Sequence, residues 1–428
     1  MPGQQEKVED KVFLVYVNED AADDEIVEAE LEGLCESANL KVVGSMRQRV
    51  DRPTTATYLG SGKVIELAAH VADAKPDLVI FDCELSGVQG RNVQEGIKCP
   101  LVDRTQLILD IFARRARTKE GMLQVELAQL SYLKPRLMSV YTKFERQKGG
   151  IGMRGPGETK LESDRRMVDD KIARLKRDIE EVRKQRASQR LQRRKYPFPF
   201  ATIVGYTSAG KSTLMNRLCG TELLADAMPF ATLDPTTRKV ELPDGYSLFL
   251  TDTVGFIRNL PTHLVAAFRA TLEEIAYSDI LLHVIDLSAE DWEVQRDAVD
   301  ETLAMIGIED QPILMVFNKI DALPDRAELS MLVASYPNSV ALSAKTGEGV
   351  TDLMATLKKM VQDHLGWVRA LVPYDKSSLI DQCYQYGRVH QVDYRDDGIF
   401  VMAELVREMR GLLAPYTINV ETNAGVAE

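Results

Sequence analysis

The sequence predicts an α/β protein, because short apolar runs with the length of buried strands alternate with segments whose apolar residues have helical spacing. Apolar runs at residues 11–16 and 76–82 predict strands, and helical spacing over residues 23–39 predicts a helix between them. This alternation is typical of a parallel α/β unit, here residues 1–110. The 428 residues are 45% hydrophobic and 28% charged, an ordinary globular balance that allows about three domains.

A different pattern fills residues 111–195, where two stretches of helical spacing flank a glycine-rich break. In the second stretch, apolar residues from Leu161 to Val182 recur at steps of 7, 4, 3, 4 and 3, which is a heptad pattern. Residues 149–157 contain five glycines and a proline and cannot continue a helix. The sequence therefore predicts a long antiparallel helical hairpin. The break itself is open to two interpretations, a flexible hinge or a loop whose bare backbone and Arg154 approach RNA or another surface.

The most specific motif is Gly-Tyr-Thr-Ser-Ala-Gly-Lys-Ser at residues 205–212, a phosphate-binding loop of the form Gly-x4-Gly-Lys-Ser. It follows an apolar run at residues 200–204 and precedes a helical pattern, which is the context that the motif needs. Lys211 would reach the β- and γ-phosphates of a nucleotide, and Ser212 would ligate Mg²⁺. The loop residues predicted to bind the nucleotide are Gly205, Tyr206, Thr207, Ser208, Ala209, Gly210, Lys211, Ser212 and Thr213.

Three further motifs follow in the order expected for a guanine nucleotide. Asp252-Thr-Val-Gly255 follows an apolar strand, so that Asp252 would hold Mg²⁺ and the Gly255 N–H would contact the γ-phosphate. Asp321, in Asn-Lys-Ile-Asp, would accept hydrogen bonds from guanine N1–H and its exocyclic amine, a donor pair that adenine lacks. The sequence thus predicts GTP as substrate and GDP as product, with Lys211 and Gly255 as catalytic residues. The predicted base-contacting residues are Asn318, Lys319, Asp321, Ser343, Ala344 and Lys345.

These motifs predict a Ras-like P-loop GTPase domain over residues 196–366, followed by a small α+β module at residues 367–428. The position after Gly255 is Phe256, where many GTPases carry a glutamine that orients the attacking water. Phe256 cannot do this, although it could simply pack in the interior. We therefore expect slow intrinsic hydrolysis and a partner that supplies the missing groups.

The loop at residues 228–238 is the predicted switch I segment. Thr232 is the predicted threonine ligand of Mg²⁺, so the full predicted ligand set is Ser212, Thr232 and Asp252. Thr236 and Thr237 are alternatives to Thr232.

The distribution of charge points to a polyanionic partner. The chain has a net charge of −12, yet residues 165–195 carry thirteen basic against five acidic residues, a surplus of eight positive charges. A solvated coiled-coil face is the simplest interpretation of a charge run. The asymmetry against an acidic remainder favours an RNA contact instead. The predicted RNA-binding residues are Arg154, Arg186, Arg190, Arg193 and Arg194.

The composition excludes other classes of protein. Five cysteines are scattered without the spacing of metal ligands, which predicts reduced thiols and a cytoplasmic location. The first ten residues are polar and are not a signal peptide, and no apolar run reaches the roughly 20 residues that span a bilayer. We expect a cytoplasmic monomer with no obligate membrane anchor, and peripheral membrane association stays open.

Several of these segments resemble the HflX family of the Obg–HflX GTPases. The similarity includes the phosphate loop, residues 230–238, residues 252–257, residues 103–112 and the glycine-rich residues 149–159. The resemblance implies a cytoplasmic GTPase that binds the large ribosomal subunit and its rRNA. It also implies an N-terminal domain and hairpin near the peptidyl-transferase region, and a role in splitting or rescuing stalled ribosomes under heat or antibiotic stress. The residues alone leave open a non-ribosomal RNA-binding GTP switch and an ATP-dependent RNA remodeller.

One position departs from the family pattern. The family usually has Asn at position 208, which in related GTPases helps to hold a K⁺ ion, and the shorter Ser208 puts K⁺ activation in doubt.

Gly60-Ser-Gly-Lys63 has part of a phosphate-loop pattern without its full spacing. A turn that enters a helix is the favoured interpretation there, against a second nucleotide site.

Overall fold

The chain forms two compact units in the computed structural model. The N-terminal unit comprises the described residues up to Val182 together with residues 254–258, and the C-terminal unit comprises the other described residues. The structure describes residues 10–18, 24–50, 52–146, 156–193, 198–220, 236–258, 275–308, 311–385, 387–405 and 407–418.

The N-terminal unit contains a four-stranded parallel sheet in the order β2-β1-β3-β4. This confirms the predicted parallel α/β arrangement. Helix α3 and strand β4 were not predicted from the sequence. The helix is glycine-rich and the strand has only three residues, so neither gives a clear pattern. The elements are β1 Asp10–Asn18, α1 Asp24–Ser37, β2 Leu40–Arg49, α2 Ser61–Ala74, β3 Leu78–Phe81, α3 Gly87–Ile97, β4 Leu101–Asp103 and α4 Arg104–Arg115.

Two long helices follow, α5 Lys119–Arg146 and α6 Pro156–Arg193. Glu126 of α5 pairs with Lys171 of α6 at 2.6 Å, and Lys134, further along α5, pairs with Asp169, which comes earlier in α6. The two helices are therefore antiparallel.

The heptad seam of α6 is centred on Leu175, which is 5% exposed. Residues 149–155 lie outside the described residues. Helix α6 begins at Pro156, inside the predicted break, because proline is well suited to a first helical position. The helical stripe predicted from residue 107 onward is interrupted at residues 116–118, between α4 and α5.

The C-terminal unit is built on a six-stranded sheet in the order β10-β9-β8-β5-β7-β6, in which only β6 is antiparallel to its neighbour. Its core contains fully buried side chains such as Ile203, Leu250 and Leu282. Residues 236–238, predicted to belong to switch I, instead begin strand β6. The elements are β5 Phe200–Gly205, α7 Lys211–Cys219, β6 Thr236–Glu241, β7 Ser247–Asp252, β8 Ile280–Asp286, α8 Trp292–Met305, β9 Ile313–Asn318, α9 Leu329–Ser335, β10 Ser339–Ala341 and α10 Val350–His364.

A three-stranded antiparallel sheet in the order β11-β13-β12 completes the C-terminal unit. Val368, Val401 and Leu405 lie in its hydrophobic core. The elements are β11 Gly366–Val372, α11 Ser378–Gln385, β12 Gly387–Arg395, β13 Gly398–Leu405 and α12 Arg407–Leu413. Among all helices of the described residues, none combines the length and apolar character needed to span a membrane.

Candidate nucleotide-binding site

The phosphate loop joins the end of β5 to the start of α7 and depends on two glycines. Gly205 has φ +149°, and a Cβ there would lie 2.2 Å from Val284 O on the neighbouring strand β8. Gly210 has φ +94°, and its Cβ would lie 2.3 Å from Asn318 Nδ2. A larger residue would displace the main chain of β8 at Gly205 and the Asn318 side chain at Gly210. Ser208 also has positive φ, +60°, a conformation that asparagine tolerates better than serine.

Lys211 is buried at the base of this loop, 6% exposed. Its Nζ donates hydrogen bonds to Gly205 O at 3.1 Å and to Tyr206 O at 2.6 Å. Burial lowers the pKa of Lys211 from its usual 10.5 to about 8, and the nearby Asp252 carboxylate opposes that shift. The ammonium thus lies within the main-chain loop, where a phosphate would stabilise its charged form.

Ser212 and Asp252 come together because β5 and β7 are parallel neighbours. The Ser212 Oγ donates to Asp252 Oδ2 at 2.7 Å, and Asp252 is 3% exposed. A hydroxyl and a carboxylate are the hard oxygen ligands that Mg²⁺ prefers, usually alongside phosphates and water. These two residues therefore fit a Mg²⁺ site. Within the described ranges no group of three or more His, Cys, Asp or Glu residues forms a metal cluster, and Thr232 lies outside those ranges.

Asn318 connects the phosphate loop to the predicted base site. Its Nδ2 donates to Ala209 O at 2.8 Å, and its Oδ1 accepts from Ala344 N at 2.9 Å. A hydrogen bond from the Ser343 side chain lowers the pKa of Asp321 below its usual 3.8. The carboxylate is therefore ionised at neutral pH, as an acceptor of two guanine donors must be.

Two residues that the sequence motifs miss support this site. Asp286, at the end of β8, holds Lys319 through an ion pair of 2.6 Å. Arg217 of α7 donates from Nε to Ala344 O at 3.1 Å. Asp286 could have been found from sequence, because an acidic residue ends a buried strand at the same sheet edge; Arg217 has no such signal.

Gly255 and Phe256 follow β7 along the chain and belong to the N-terminal unit. Phe256 is 6% exposed, which agrees with the interpretation that it packs in the interior. The catalytic role of Gly255 stays a prediction.

The predicted RNA-binding residues are only partly described. Arg186 lies on α6 and is half-buried. Arg190 and Arg193 also lie on α6, but their side chains are outside the described part of the chain, as are Arg154 and Arg194 altogether. Some other cations of the hairpin pair with acidic residues, including Lys134, Arg165, Lys171 and Arg174.

The fold and these motifs define a class of protein. A parallel sheet carries the phosphate loop at one strand end, and the ends of neighbouring strands carry the magnesium-type acid and the guanine-type Asn-Lys-Ile-Asp motif. The chain is a P-loop GTP-binding protein.

Comparison with known proteins identifies the family. Four family models match: GTP-binding GTPase N-terminal at residues 26–113, GTP-binding GTPase Middle Region at 115–193, 50S ribosome-binding GTPase at 200–319 and HflX C-terminal domain at 328–410. The GTPase HflX of Lacrimispora saccharolytica is 44% identical over 411 residues, covering 95% of this chain and 96% of the relative. The GTPase HflX of Escherichia coli is 43% identical over 372 residues, covering 86% and 87%.

A solved structure, a GTP-binding protein of the archaeon Sulfolobus solfataricus in complex with GDP, is 25% identical with a TM-score of 0.46, covering 82% of this chain and 99% of that one. On the strength of the sequence relatives, the chain belongs to the HflX family of GTPases and hydrolyses GTP.

Proposed function

We propose that this GTPase acts on the large ribosomal subunit, binds it through rRNA, and splits or rescues stalled ribosomes. The observation that carries the proposal is the match of residues 200–319, which contain the phosphate loop, to a family model described as a 50S ribosome-binding GTPase. Phe256 supports it, because a buried phenyl ring cannot orient water and a partner must then complete the catalytic site. We infer a cytoplasmic monomer.

The proposed chemistry uses the residues at the carboxyl ends of β5 and β7. Water attacks the γ-phosphorus, and the bond to the GDP oxygen breaks. Lys211 stabilises the charge on the β- and γ-phosphates, and the Gly255 N–H donates to the γ-phosphate. Ser212 and Asp252 would hold Mg²⁺, which neutralises charge between the β- and γ-phosphates when bound.

Co-sedimentation with purified ribosomal subunits tests the partner. We expect GTP-dependent binding to large subunits and a rise in GTP turnover when they are added. Binding to free structured RNA with equal affinity, and no stimulation by subunits, would favour the second candidate, a non-ribosomal RNA-binding GTP switch. That candidate rests on the basic surplus of α6.

A second experiment tests the proposed RNA contact of the hairpin. Phosphate contacts release counterions, so ribosome binding should weaken steeply with salt. Substituting Gln for Arg186, Arg190, Arg193 and Arg194 keeps a good helix former and should weaken binding and flatten that dependence. The matched control is Lys134→Gln/Lys171→Gln, which removes two cations that already pair within the hairpin. Parental salt dependence in the fourfold variant would leave the loop around Arg154 as the RNA contact.

K⁺ activation has its own test at Ser208. We propose that a serine side chain does not hold the ion, so that hydrolysis rates in KCl and NaCl at matched ionic strength are nearly equal. Ser208→Asn should then create a K⁺ preference and should fit the positive φ of this position. A clear K⁺ preference in the parent protein would show that the loop binds the ion without asparagine.

A further inference from the structure

Arg104 is a buried cation that is not among the residues of the nucleotide-binding site described above. It is the first residue of α4 and is 8% exposed. Its Nη2 lies 2.9 Å from Glu30 Oε2 of α1, and the same nitrogen donates to the main-chain oxygen of Arg258 at 3.3 Å. An arginine in the first turn opposes the helix dipole, and burying an ion pair costs desolvation free energy that only good hydrogen bonds offset. Such a local conflict is typical of a residue retained for function.

The position of Arg104 is fixed by its neighbour Asp103, which is 2% exposed. The Asp103 Oδ1 accepts from Gln106 N at 2.9 Å and so caps α4. Its Oδ2 accepts from Leu85 N at 3.1 Å and from Arg136 Nη2 at 3.0 Å. The guanidinium therefore extends from a helix start that is tied to β4, to α5 and to the chain after β3.

The carbonyl that Arg104 binds belongs to the segment after β7. Arg258 lies three residues beyond Gly255, the predicted donor to the γ-phosphate. The apolar side chains around Gly255 are buried: Val254 is 4%, Phe256 6% and Ile257 1% exposed. This segment belongs to the same compact unit as Arg104. A polar anchor at one end and apolar packing along its length fix its main chain.

We propose that Arg104 is a positioning residue for GTP hydrolysis, which fixes the main chain at Arg258 and thereby the orientation of the Gly255 N–H. The proposal rests on the role proposed above for Gly255. A donor that is fixed before the reaction stabilises the transition state more than one that must be ordered during it. Loss of Arg104 should therefore lower kcat, whereas KM, which depends on the phosphate loop and the guanine site, should change little.

The experiment measures basal GTP hydrolysis by the full chain without ribosomes. Arg104→Gln should lower kcat about tenfold with KM within about twofold of the parent, the effect expected of a small displacement of a catalytic donor. Arg104→Lys should restore part of the loss, because an ammonium still pairs with Glu30 but lacks the planar fork of the guanidinium. The matched control is Arg47→Gln, whose partner Glu28 lies on the same helix as Glu30 but in an exposed pair. It should keep the parental kcat.

Arg104→Gln removes the guanidinium that pairs with the buried Glu30 carboxylate, which destabilises the protein, so the double variant Arg104→Gln/Glu30→Gln is the decisive one. It removes both charges together and should stay folded, as a thermal unfolding curve will show, while losing kcat to the same extent. A folded double variant with parental kcat, or one in which KM rises and kcat does not fall, overturns the proposal. Lys211→Ala is measured alongside as a control for the nucleotide site. If it loses activity while the folded double variant does not, the role of Arg104 is wrong and the placement of the nucleotide site is not.

Discussion

The N-terminal sheet is parallel and the nucleotide-binding sheet is parallel except for β6, and a helix that begins with a glycine–lysine sequence follows a strand in each unit. In the nucleotide-binding sheet, Gly205 and Gly210 both have positive φ, and a side chain on either would collide with a neighbouring strand or its side chain. At the start of α2 in the N-terminal unit, a Cβ on Gly60 or Gly62 would meet nothing within 4 Å. Glycine is thus required by close contacts in the phosphate loop, whereas no neighbouring atom requires glycine at the start of α2.

The lysines differ in the same way. Lys211 is buried and binds main-chain carbonyls of its own loop, whereas Lys63 forms a surface pair with Glu66 one helical turn away. This supports the prediction that Gly60-Ser-Gly-Lys63 enters a helix rather than binding phosphate, since α2 begins at Ser61. Burial of the lysine and the main-chain geometry of the glycines therefore distinguish a phosphate loop from a glycine-containing helix start.

The largest change in activity is expected at Lys211. Lys211→Ala should lower GTP turnover by about 10²–10³-fold, the loss typical of removing one group that stabilises transition-state charge. Lys63→Ala is the control and should keep parental turnover, because its ion pair is exposed. Single-turnover hydrolysis at saturating GTP measures both. A comparable loss in Lys63→Ala would indicate that Lys63 also contacts phosphate and that an exposed ion pair does not exclude such a role.

A smaller loss should follow Asp321→Asn at the guanine site. The amide replaces one acceptor oxygen with a donor, so GTP binding should weaken by about 2–4 kcal/mol, as for loss of a charged hydrogen-bond partner. Xanthosine triphosphate, which has an oxygen at position 2, should bind the variant better than it binds the parent. Competition with a fluorescent GDP measures both affinities, and unchanged GTP affinity would show that the base lies elsewhere.

How far the sequence alone reaches depends on the distance between interacting residues. The phosphate loop, Asp252 and Asn318 were predictable, because each sits within a short motif at the end of an apolar strand. Arg104 was missed because its partner lies 154 residues away in the chain. Asp286 was missed although it ends a buried strand, because its position belongs to none of the four motifs. The elements α3 and β4 were missed for a local reason: glycines at positions 90 and 96 weaken a helical pattern, and three residues are too few to show a strand.

Asp82, the residue after β3 in the N-terminal unit, has a pKa that predicts how stability depends on pH. Burial raises the pKa of Asp82 from its usual 3.8 to about 6, although Arg104 and the Val17 N–H oppose the shift. The folded state then binds more protons than the unfolded state between these values, so stability falls as pH rises from about 4 to 6. Asp82→Asn should therefore stabilise the protein by about 1–3 kcal/mol at pH 8 and by little below pH 4.

Urea unfolding of parent and variant from pH 4 to 8 measures this difference. Asp77→Asn is a suitable control, because Asp77 is an exposed acid at the opposite end of β3 and its carboxylate accepts from Lys11 N. Parallel stability curves for Asp82→Asn and the parent would show that burial does not raise the pKa of Asp82 in the folded protein.

The smallest effect concerns the glycines themselves. Gly62 lies in the first turn of α2 with space around it, so Gly62→Ala should stabilise the protein by about 0.5–1 kcal/mol through the greater helix propensity of alanine. Gly210→Ala should act in the opposite direction, because φ +94° and the Asn318 amide both exclude a Cβ. Urea midpoints at pH 7, with GTP affinity measured alongside, give both results. Gly62→Ala should leave GTP affinity unchanged. A loss of stability in Gly62→Ala would contradict the prediction and would mean that this position requires glycine despite the open space around it.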